Sequence, residues 1–367
     1  LHNNTPLSFD SLVLKSDILE NKKQLSLQSN EVDATVTGNF TILELPKAFQ
    51  LFLNNYYPAY IKKPAAVLNN QDFTFSIRTK NVDDYARLLD TKLHGFNNSS
   101  IDGELRLKEN KLSVNASIPE FSYDGKTFNN LQLKSIGNLD TLAAEINVDD
   151  ITLGDSLHLP TTNLLIKSHD DISDISIKTS ASKTLSNAEL HAQVQTMTDG
   201  VKIHFSPSTF ILNDKQWQIE KDGELTLRNS QISANDLKFI QGNQQIDIST
   251  QLSSDGGSND IKVGLTSVNI DDFLPFAFKD PHLEGQVSGD VFITNPFGKA
   301  SIDYDIKADK FKFEKDSIGT VTAKGRYSTS SGIVTFKAIG DNTDYKFDID
   351  GSFNTKDTLA NEANILF

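Results

Sequence analysis

The sequence of 367 residues contains no cysteine, one methionine and one tryptophan. Without cysteine, disulfides, thiol nucleophiles and thiolate-bound metals are excluded. No apolar run reaches the roughly 20 residues that a membrane-spanning helix needs, and no signal-peptide pattern is present. The first residue is Leu1, and the last residues, ANILF, resemble an interrupted strand, so we expect a piece of a longer chain.

Positive charge is also scarce. Lysine and arginine number 35 against 49 acidic residues, which gives a net charge of -14 and a pI near 4.9. The basic residues are scattered, so on average a nucleic-acid backbone would be repelled. Nucleic acid is therefore excluded as a predicted partner.

Signatures of catalysis and metal binding are missing as well. The seven histidines form no His-Glu-x-x-His pattern, and no Gly-x-Ser-x-Gly elbow occurs. The stretch DGKT at 124–127 resembles a phosphate-binding loop, but Glu120 stands where its first glycine belongs. The stretch DIDG at 348–351 resembles a calcium loop, but Lys346 and Asp357 occupy two ligand positions. The sequence predicts no enzyme, no metal site and no cofactor.

What the chain does contain is apolar residues at every second position, over most of its length. This alternation is typical of strands with one buried and one solvated face, and Asn, Asp and Gly turns separate the runs by about 8 to 14 residues, as in antiparallel meanders. Outer-membrane barrels alternate in the same way, but the single tryptophan and the helical segments argue against a barrel.

Three segments have helical rather than alternating spacing: 44–61, where Pro58 is expected to end the helix, 81–93, and 269–278. We expect these helices to cover an edge or end of the sheet. They suggest three segments of one repetitive body, at 1–80, 81–268 and 269–367.

An internal similarity links two of these segments. VDDY at 82–85 recurs as IDDF at 270–273, and FSYDGKTFNNLQLKSIG at 121–137 aligns with FKFEKDSIGTVTAKGRY at 311–327, an offset of about 190 residues. Duplication of a helix followed by strands favours stacked similar units over unrelated domains.

Several stretches of the sequence together resemble one protein family. LPKAFQLFLNNYYPAY, IDGELRL, LEGQVSGDVFI, NDKQWQIEKDGELTLRNSQISANDLKFIQGNQQIDIS and NPFGKASIDYDIKADKFKFEKDSIG resemble the TamB proteins of the AsmA-like group, in a Bacteroidetes-like form. The resemblance covers nearly the whole chain. It implies an elongated, twisted antiparallel sheet curled into a taco-like trough with an apolar concave face. It also implies a place in the periplasm, an inner-membrane anchor outside this sequence, a role in outer-membrane protein assembly with a BamA-like barrel partner, and phospholipid as cargo.

The alternation and the resemblance both indicate a mainly β fold with a few short helices. Roughly two dozen strands about 4.8 Å apart would make a row on the order of 110 Å long. We expect acyl chains to lie along the apolar face, since each methylene removed from water contributes about 0.8 kcal/mol. The alternative is a scaffold or chaperone that receives strands of barrel proteins by edge pairing. The predicted lining residues are Leu105, Leu107, Leu112, Val114, Leu131, Leu133, Ile175, Ile177, Leu190, Val194, Ile203, Phe205, Leu225, Leu227, Ile246, Ile248, Ile261, Val263, Leu265, Ile302, Tyr304, Ile306, Phe347 and Ile349.

Overall fold

A computed structural model of the protein describes residues 10–65, 67–68, 71–152, 158–180, 185–220, 223–229, 231–252, 259–273, 282–296, 298–342, 346–355 and 362–366. The chain divides into two compact units, Leu1–Thr198 and Asp199–Phe367. This division falls inside the predicted segment 81–268, and neither predicted boundary, 80/81 or 268/269, coincides with it. Each unit is built mainly of antiparallel strands.

The first unit contains two helices and twelve strands among its described residues. The helices are α1 (Leu45–Asn54) and α2 (Asp83–Leu89), with 3₁₀ turns at Ile42–Glu44 and Leu107–Glu109. The strands are β1 (Leu12–Leu19), β2 (Lys22–Ser29), β3 (Val32–Asn39), β4 (Asp72–Thr79), β5 (Leu93–Gly95), β6 (Ser100–Arg106), β7 (Lys111–Tyr123), β8 (Lys126–Gly137), β9 (Leu142–Thr152), β10 (His158–His169), β11 (Ile172–Thr179) and β12 (Leu185–Met197).

Pairing in the first unit follows chain order with one local exception. Strands β1 to β4 pair in succession, β6 joins β4 to β7, and the short β5 pairs with the far end of β7. From β7 to β12 each strand again pairs with the next. The first unit is thus a meander, interrupted by α1 between β3 and β4 and by α2 between β4 and β5.

The second unit has fourteen strands and one 3₁₀ turn, Ile270–Asp272, among its described residues. The strands are β13 (Gly200–Phe205), β14 (Ser208–Leu212), β15 (Lys215–Ile219), β16 (Glu224–Arg228), β17 (Gln231–Asn235), β18 (Leu237–Gln241), β19 (Gln244–Leu252), β20 (Asn259–Asn269), β21 (Leu283–Thr294), β22 (Ser301–Phe313), β23 (Asp316–Ser328), β24 (Ile333–Asp341), β25 (Lys346–Asn354) and β26 (Glu362–Leu366).

The order of the second unit is regular only from β18 onward, where each strand to β26 pairs with the next. Before it, β15 pairs with β14 and β18, whereas β16 pairs with β13 and β17. The predicted simple meander is therefore wrong between β13 and β18, because β15 reaches past β16 and β17 to pair with β18.

The prediction of a mainly β, antiparallel fold with a few short helices is confirmed. Strand β24 illustrates the cause. Along Ile333–Asp341 exposed residues alternate with partly or fully buried ones, as expected of a strand with one solvated face. The sequence period of two is therefore the period of burial.

The helices differ from expectation in length and position. The first begins at Leu45, has Pro46 in its first turn and ends at Asn54, four residues before the predicted stop at Pro58. Residues 55–61 instead form turns, in which Tyr60 and Ile61 both donate to the Tyr57 carbonyl. The second helix lies inside the predicted 81–93. Of the predicted 269–278, a 3₁₀ turn forms at its start, and residues 274–278 lie outside the described residues.

Candidate functional site: an apolar groove on the second unit

Apolar residues on strands β18 to β25 of the second unit line up on one face of the sheet. Directly opposed residues in an antiparallel pair point to the same side, so the register identifies the face. One row crosses eight strands through Phe239, Ile246, Leu265, Gly289, Ile306, Ala323, Ala338 and Ile349. We call the side of the sheet that carries this row the apolar face.

The opposite face of the same strands is charged. Arg326 and Asp303 form an ion pair of 2.5 Å across β22 and β23, and Lys324 pairs with Asp305 at 2.7 Å on the same two strands. These side chains are largely solvated, so each pair contributes little to stability. The two faces of these strands therefore differ in chemistry: one is charged and solvated, and the other is apolar.

A groove of about 760 Å³ lies on the apolar face over β21 to β25. Neighbouring strands form its floor, and Ile270 reaches it from the 3₁₀ turn at 270–272. Among the described residues, the only charged one in its lining is Lys346, whose ammonium is exposed and lies 3.1 Å from Asp341. The lining residues are Ile270, Leu283, Val287, Ile306, Ala308, Phe311, Phe313, Ile318, Val321, Ala323, Ala338, Lys346, Phe347 and Ile349.

Small residues keep this groove unfilled. The Phe347 ring lies directly against Gly340 on the neighbouring strand, where any side chain would collide with it. The ring of Tyr304 lies against Gly325 in the same way. Burial raises the pKa of the Tyr304 phenol, so this group stays neutral at physiological pH. The aromatic rings thus lie across glycines instead of filling the groove.

The apolar face of the first unit is covered over part of its area by the protein itself. Helix α1 packs onto it, and Phe52 is only 1% exposed, with its ring against Gly137 of β8. The Phe49 ring meets those of Phe73 and Phe75 edge-on at 5.9 and 5.6 Å. Leu105, from β6, is fully buried beneath the helix. This part of the face is a packed core.

Hydrogen bonds fix the chain that follows α1 to the turn after β8 and to the β10–β11 hairpin. The Tyr56 hydroxyl donates to the Asn138 carbonyl, and the Tyr57 hydroxyl lies 2.7 Å from Ser168 Oγ. The amide of Ala59 donates to Asp171 at 2.9 Å. The helix therefore lies over one end of the strands on the apolar face, which is one of the two places predicted for it, an edge or an end of the sheet.

The structure brings some of the predicted lining residues to the groove and places others elsewhere. Ile306, Phe347 and Ile349 line the groove. Leu105 and Leu112 are instead buried under α1, and Leu107 lies in a 3₁₀ turn beside the same core. These three are corrections: helix packing occupies the space that was assigned to a ligand.

The remaining predicted residues lie on strands, outside this groove. In the first unit, the cross-strand pairs Ile177–Leu190, Leu133–Ile146 and Ala116–Leu133 show that the predicted residues lie on the apolar face. These predicted residues are Val114, Leu131, Leu133, Ile175, Ile177, Leu190 and Val194 in the first unit, and Ile203, Phe205, Leu225, Leu227, Ile246, Ile248, Ile261, Val263, Leu265, Ile302 and Tyr304 in the second.

Sequence reasoning missed most of the groove lining. Ala308 continues the alternation of Ile302, Tyr304 and Ile306, and Val321 and Ala323 alternate in the next strand. Following the period of two through small residues would have found them. The β-bulge between Ala308 and Phe311 shifts the register by one residue and turns Phe311 and Phe313 toward the groove, which alternation alone does not reveal.

Polar chemistry elsewhere is limited. Within the described ranges no three metal-ligating side chains come together, and none of the helices there is long and apolar enough to span a membrane. One buried ionic group stands out: Asp272, fully buried, accepts from Lys215 at 2.7 Å and from Asn213 at 2.9 Å. It fastens the 3₁₀ turn at 270–272 to the β14–β15 hairpin and so holds Ile270 at the groove.

No protein-family model matches the chain, and no curated protein or solved structure is detectably similar to it.

Proposed function

We propose that the protein binds the acyl chains of phospholipid on its apolar face and moves lipid through the periplasm between the inner and outer membranes. The observation that carries the proposal is the groove on the second unit, concave, lined almost wholly by apolar side chains and left unfilled by them. Protein interiors ordinarily pack their apolar faces without voids of this size. A ligand of matching chemistry accounts for the unfilled volume.

The size of the groove suits a lipid tail. At about 30 Å³ per group, the share of volume that a water molecule takes in the liquid, 760 Å³ has room for about 25 methylene-sized groups. Each methylene transferred from water contributes about 0.8 kcal/mol, so even ten of them would bind firmly. Lys346 at the rim supports a polar head group remaining outside, at the solvated lip.

In the first unit the proposed path for acyl chains excludes the area under α1. It runs instead along the row Ile77, Ile101, Ala116, Leu133, Ile146, Leu164, Ile177 and Leu190. The BamA-like partner, the inner-membrane anchor and the role in outer-membrane protein assembly are supported by the family resemblance alone.

A pair of isoleucines on opposite faces provides the test. Ile306 lines the groove, whereas Ile339 lies on the charged face of β24 and is 39% exposed. Replacing either by aspartate makes the same chemical change in the same sheet. We expect Ile306→Asp to lower affinity for a fluorescent fatty-acid probe by at least about tenfold, because a carboxylate in the groove must stay hydrated. Ile339→Asp should bind as the wild type does.

Native mass spectrometry of the purified chain identifies the natural ligand. Bound phospholipid in the wild type, lost in Ile306→Asp and retained in Ile339→Asp, supports the proposal. Equal probe binding by both variants would contradict it. A chain that carries no lipid but captures peptides from barrel strands would favour the scaffold alternative, in which edge pairing provides the affinity.

A further inference from the structure

Strand β1 is an apolar edge strand. Along Leu12–Leu19 every residue is exposed, including Leu14 at 63% and Ile18 at 79%. Within the described part of the chain β1 pairs with β2 and with no other strand. Unpaired backbone groups and exposed apolar side chains on one strand form a template for a further strand, and proteins usually avoid leaving such an edge uncovered.

The apolar face of the first unit reaches this edge. Leu14 lies opposite Leu27 on β2, Leu27 lies opposite Ala34 on β3, and Ala34 lies opposite Ile77 on β4. Leu14 is therefore in line with the row of residues proposed for acyl chains. Leu14 and Ile18, four residues apart on one strand, lie on that same side. The apolar face therefore extends to the edge strand β1.

The sequence of β1 is complementary to itself, and we propose that β1 pairs antiparallel with β1 of a second copy about a two-fold axis at Ser16. In this register Lys15 lies opposite Asp17 of the partner subunit, and Leu14 lies opposite Ile18 of the partner subunit. On the other face Val13 meets Leu19 of the partner subunit. By symmetry each pair occurs twice, so two cross-strand ion pairs and four apolar pairs form along one short edge.

Neighbouring registers lack this match. A shift by one residue pairs Leu14 with the partner's Asp17 and puts the apolar faces on opposite sides of the joined sheet. A shift that keeps the faces together but centres on Lys15 opposes two lysines, and one centred on Asp17 opposes two aspartates. Like charges directly opposite are destabilising. The register centred on Ser16 alone joins the apolar faces and pairs the opposite charges.

The proposed dimer joins the apolar faces of its two subunits. The two-fold axis stands perpendicular to the joined sheet, so both copies present their apolar faces on the same side. Leu14 and Ile18 of each copy then close the gap between the two faces. The dimer has one apolar face that continues across both subunits, whatever ligand that face carries.

Cysteine cross-linking tests the register directly, because the chain has no cysteine of its own. Residues opposed on a two-fold axis lie about 4.5 to 5.5 Å apart between Cα atoms, within the range of a disulfide. Ser16→Cys should therefore form a disulfide-linked dimer on mild oxidation. Ser26→Cys is the matched control: Ser26 lies opposite Lys15 on the inner strand β2 and should not cross-link. Absence of a Ser16→Cys dimer, or equal cross-linking of both variants, overturns the proposal.

Charge reversal tests the pairing in the unmodified interface by sedimentation equilibrium. Lys15→Asp should weaken dimerisation by about tenfold, because it sets Asp against Asp, and Lys15→Asp with Asp17→Lys should restore the affinity. Lys178→Asp, a similar exposed change on β11 away from the edge, should leave the affinity unchanged. A monomeric wild type, assemblies larger than a dimer, or a double variant no better than Lys15→Asp would each refute the inference.

Discussion

The apolar face is covered in the first unit and uncovered in the second. Removing one aromatic ring from each face should therefore lower the free energy of unfolding by different amounts. Phe52 in α1 is 1% exposed and packs against Tyr56 at a ring separation of 5.3 Å and against the backbone of Gly137. A buried phenylalanine removes about 150 to 250 Å² from water, which corresponds to about 4 to 6 kcal/mol. Since alanine retains a methyl group and the site relaxes partly, we expect Phe52→Ala to cost about 3 to 5 kcal/mol.

Phe347 provides the control in the second unit. Its ring lines an open groove, so truncation enlarges a space that already exists and seals no new cavity. We expect Phe347→Ala to cost about 1 kcal/mol. Hydrogen–deuterium exchange in increasing urea, followed on peptides that cover α1 and β6, reports the first unit. Fluorescence of Trp217, the single tryptophan, reports the second.

The comparison has a clear refuting result. If Phe52→Ala costs less than about 1 kcal/mol, or no more than Phe347→Ala, then α1 is not the cover of a packed core. The description of the two apolar faces as filled and unfilled would then fail, and with it the reason for placing the ligand on the second unit. A large cost for Phe347→Ala alone would point the same way.

Three further predictions concern single groups. Gly137→Ala should destabilise the first unit by about 1 to 3 kcal/mol in urea unfolding, because the new methyl would lie 2.6 Å from the α1 ring packed on it. Asp272→Ala should cost about 1 to 3 kcal/mol and change Trp217 emission, because Lys215, one-third exposed, loses its buried partner. The Gly95 amide, 2.6 Å away, and then a nearby arginine hold the pKa of Asp83 below its usual 3.8. The native state thus binds that proton less readily than the unfolded chain, so stability should fall below about pH 4, and less steeply in Asp83→Asn.

The period of two predicted the fold well because in an antiparallel sheet it is a direct record of which side chains meet water. The similarity of 121–137 to 311–327 predicted an internal repeat at an offset of about 190, and the strand pairs match that offset. Tyr123, at the end of β7, pairs with Leu93, and Phe313, at the end of β22, pairs with Leu283. Both β7 and β22 contain 13 residues and lead through a two-residue turn into the next strand.

The candidate site was predicted less well, for a physical reason. Alternation tells which residues share a face but not what covers that face. Leu105 and Ile306 have the same local sequence pattern. Helix α1 buries Leu105, whereas no helix among the described residues covers Ile306. That difference depends on contacts between residues far apart in sequence, such as Phe52 with Gly137. No single-strand pattern contains it.

An unfilled apolar groove carries an energetic cost that its surroundings must offset. The charged face of the same strands contributes little, since exposed ion pairs such as Lys324 with Asp305 are worth about 0 to 1 kcal/mol each. Long strand ladders with small residues at Ala323 and Ala338 hold the sheet without filling the space above it. Larger side chains at those two positions would bury more surface and stabilise the fold, as packed cores do. Alanine at those two positions, on the floor of the groove, therefore supports the proposal that the space takes up a ligand.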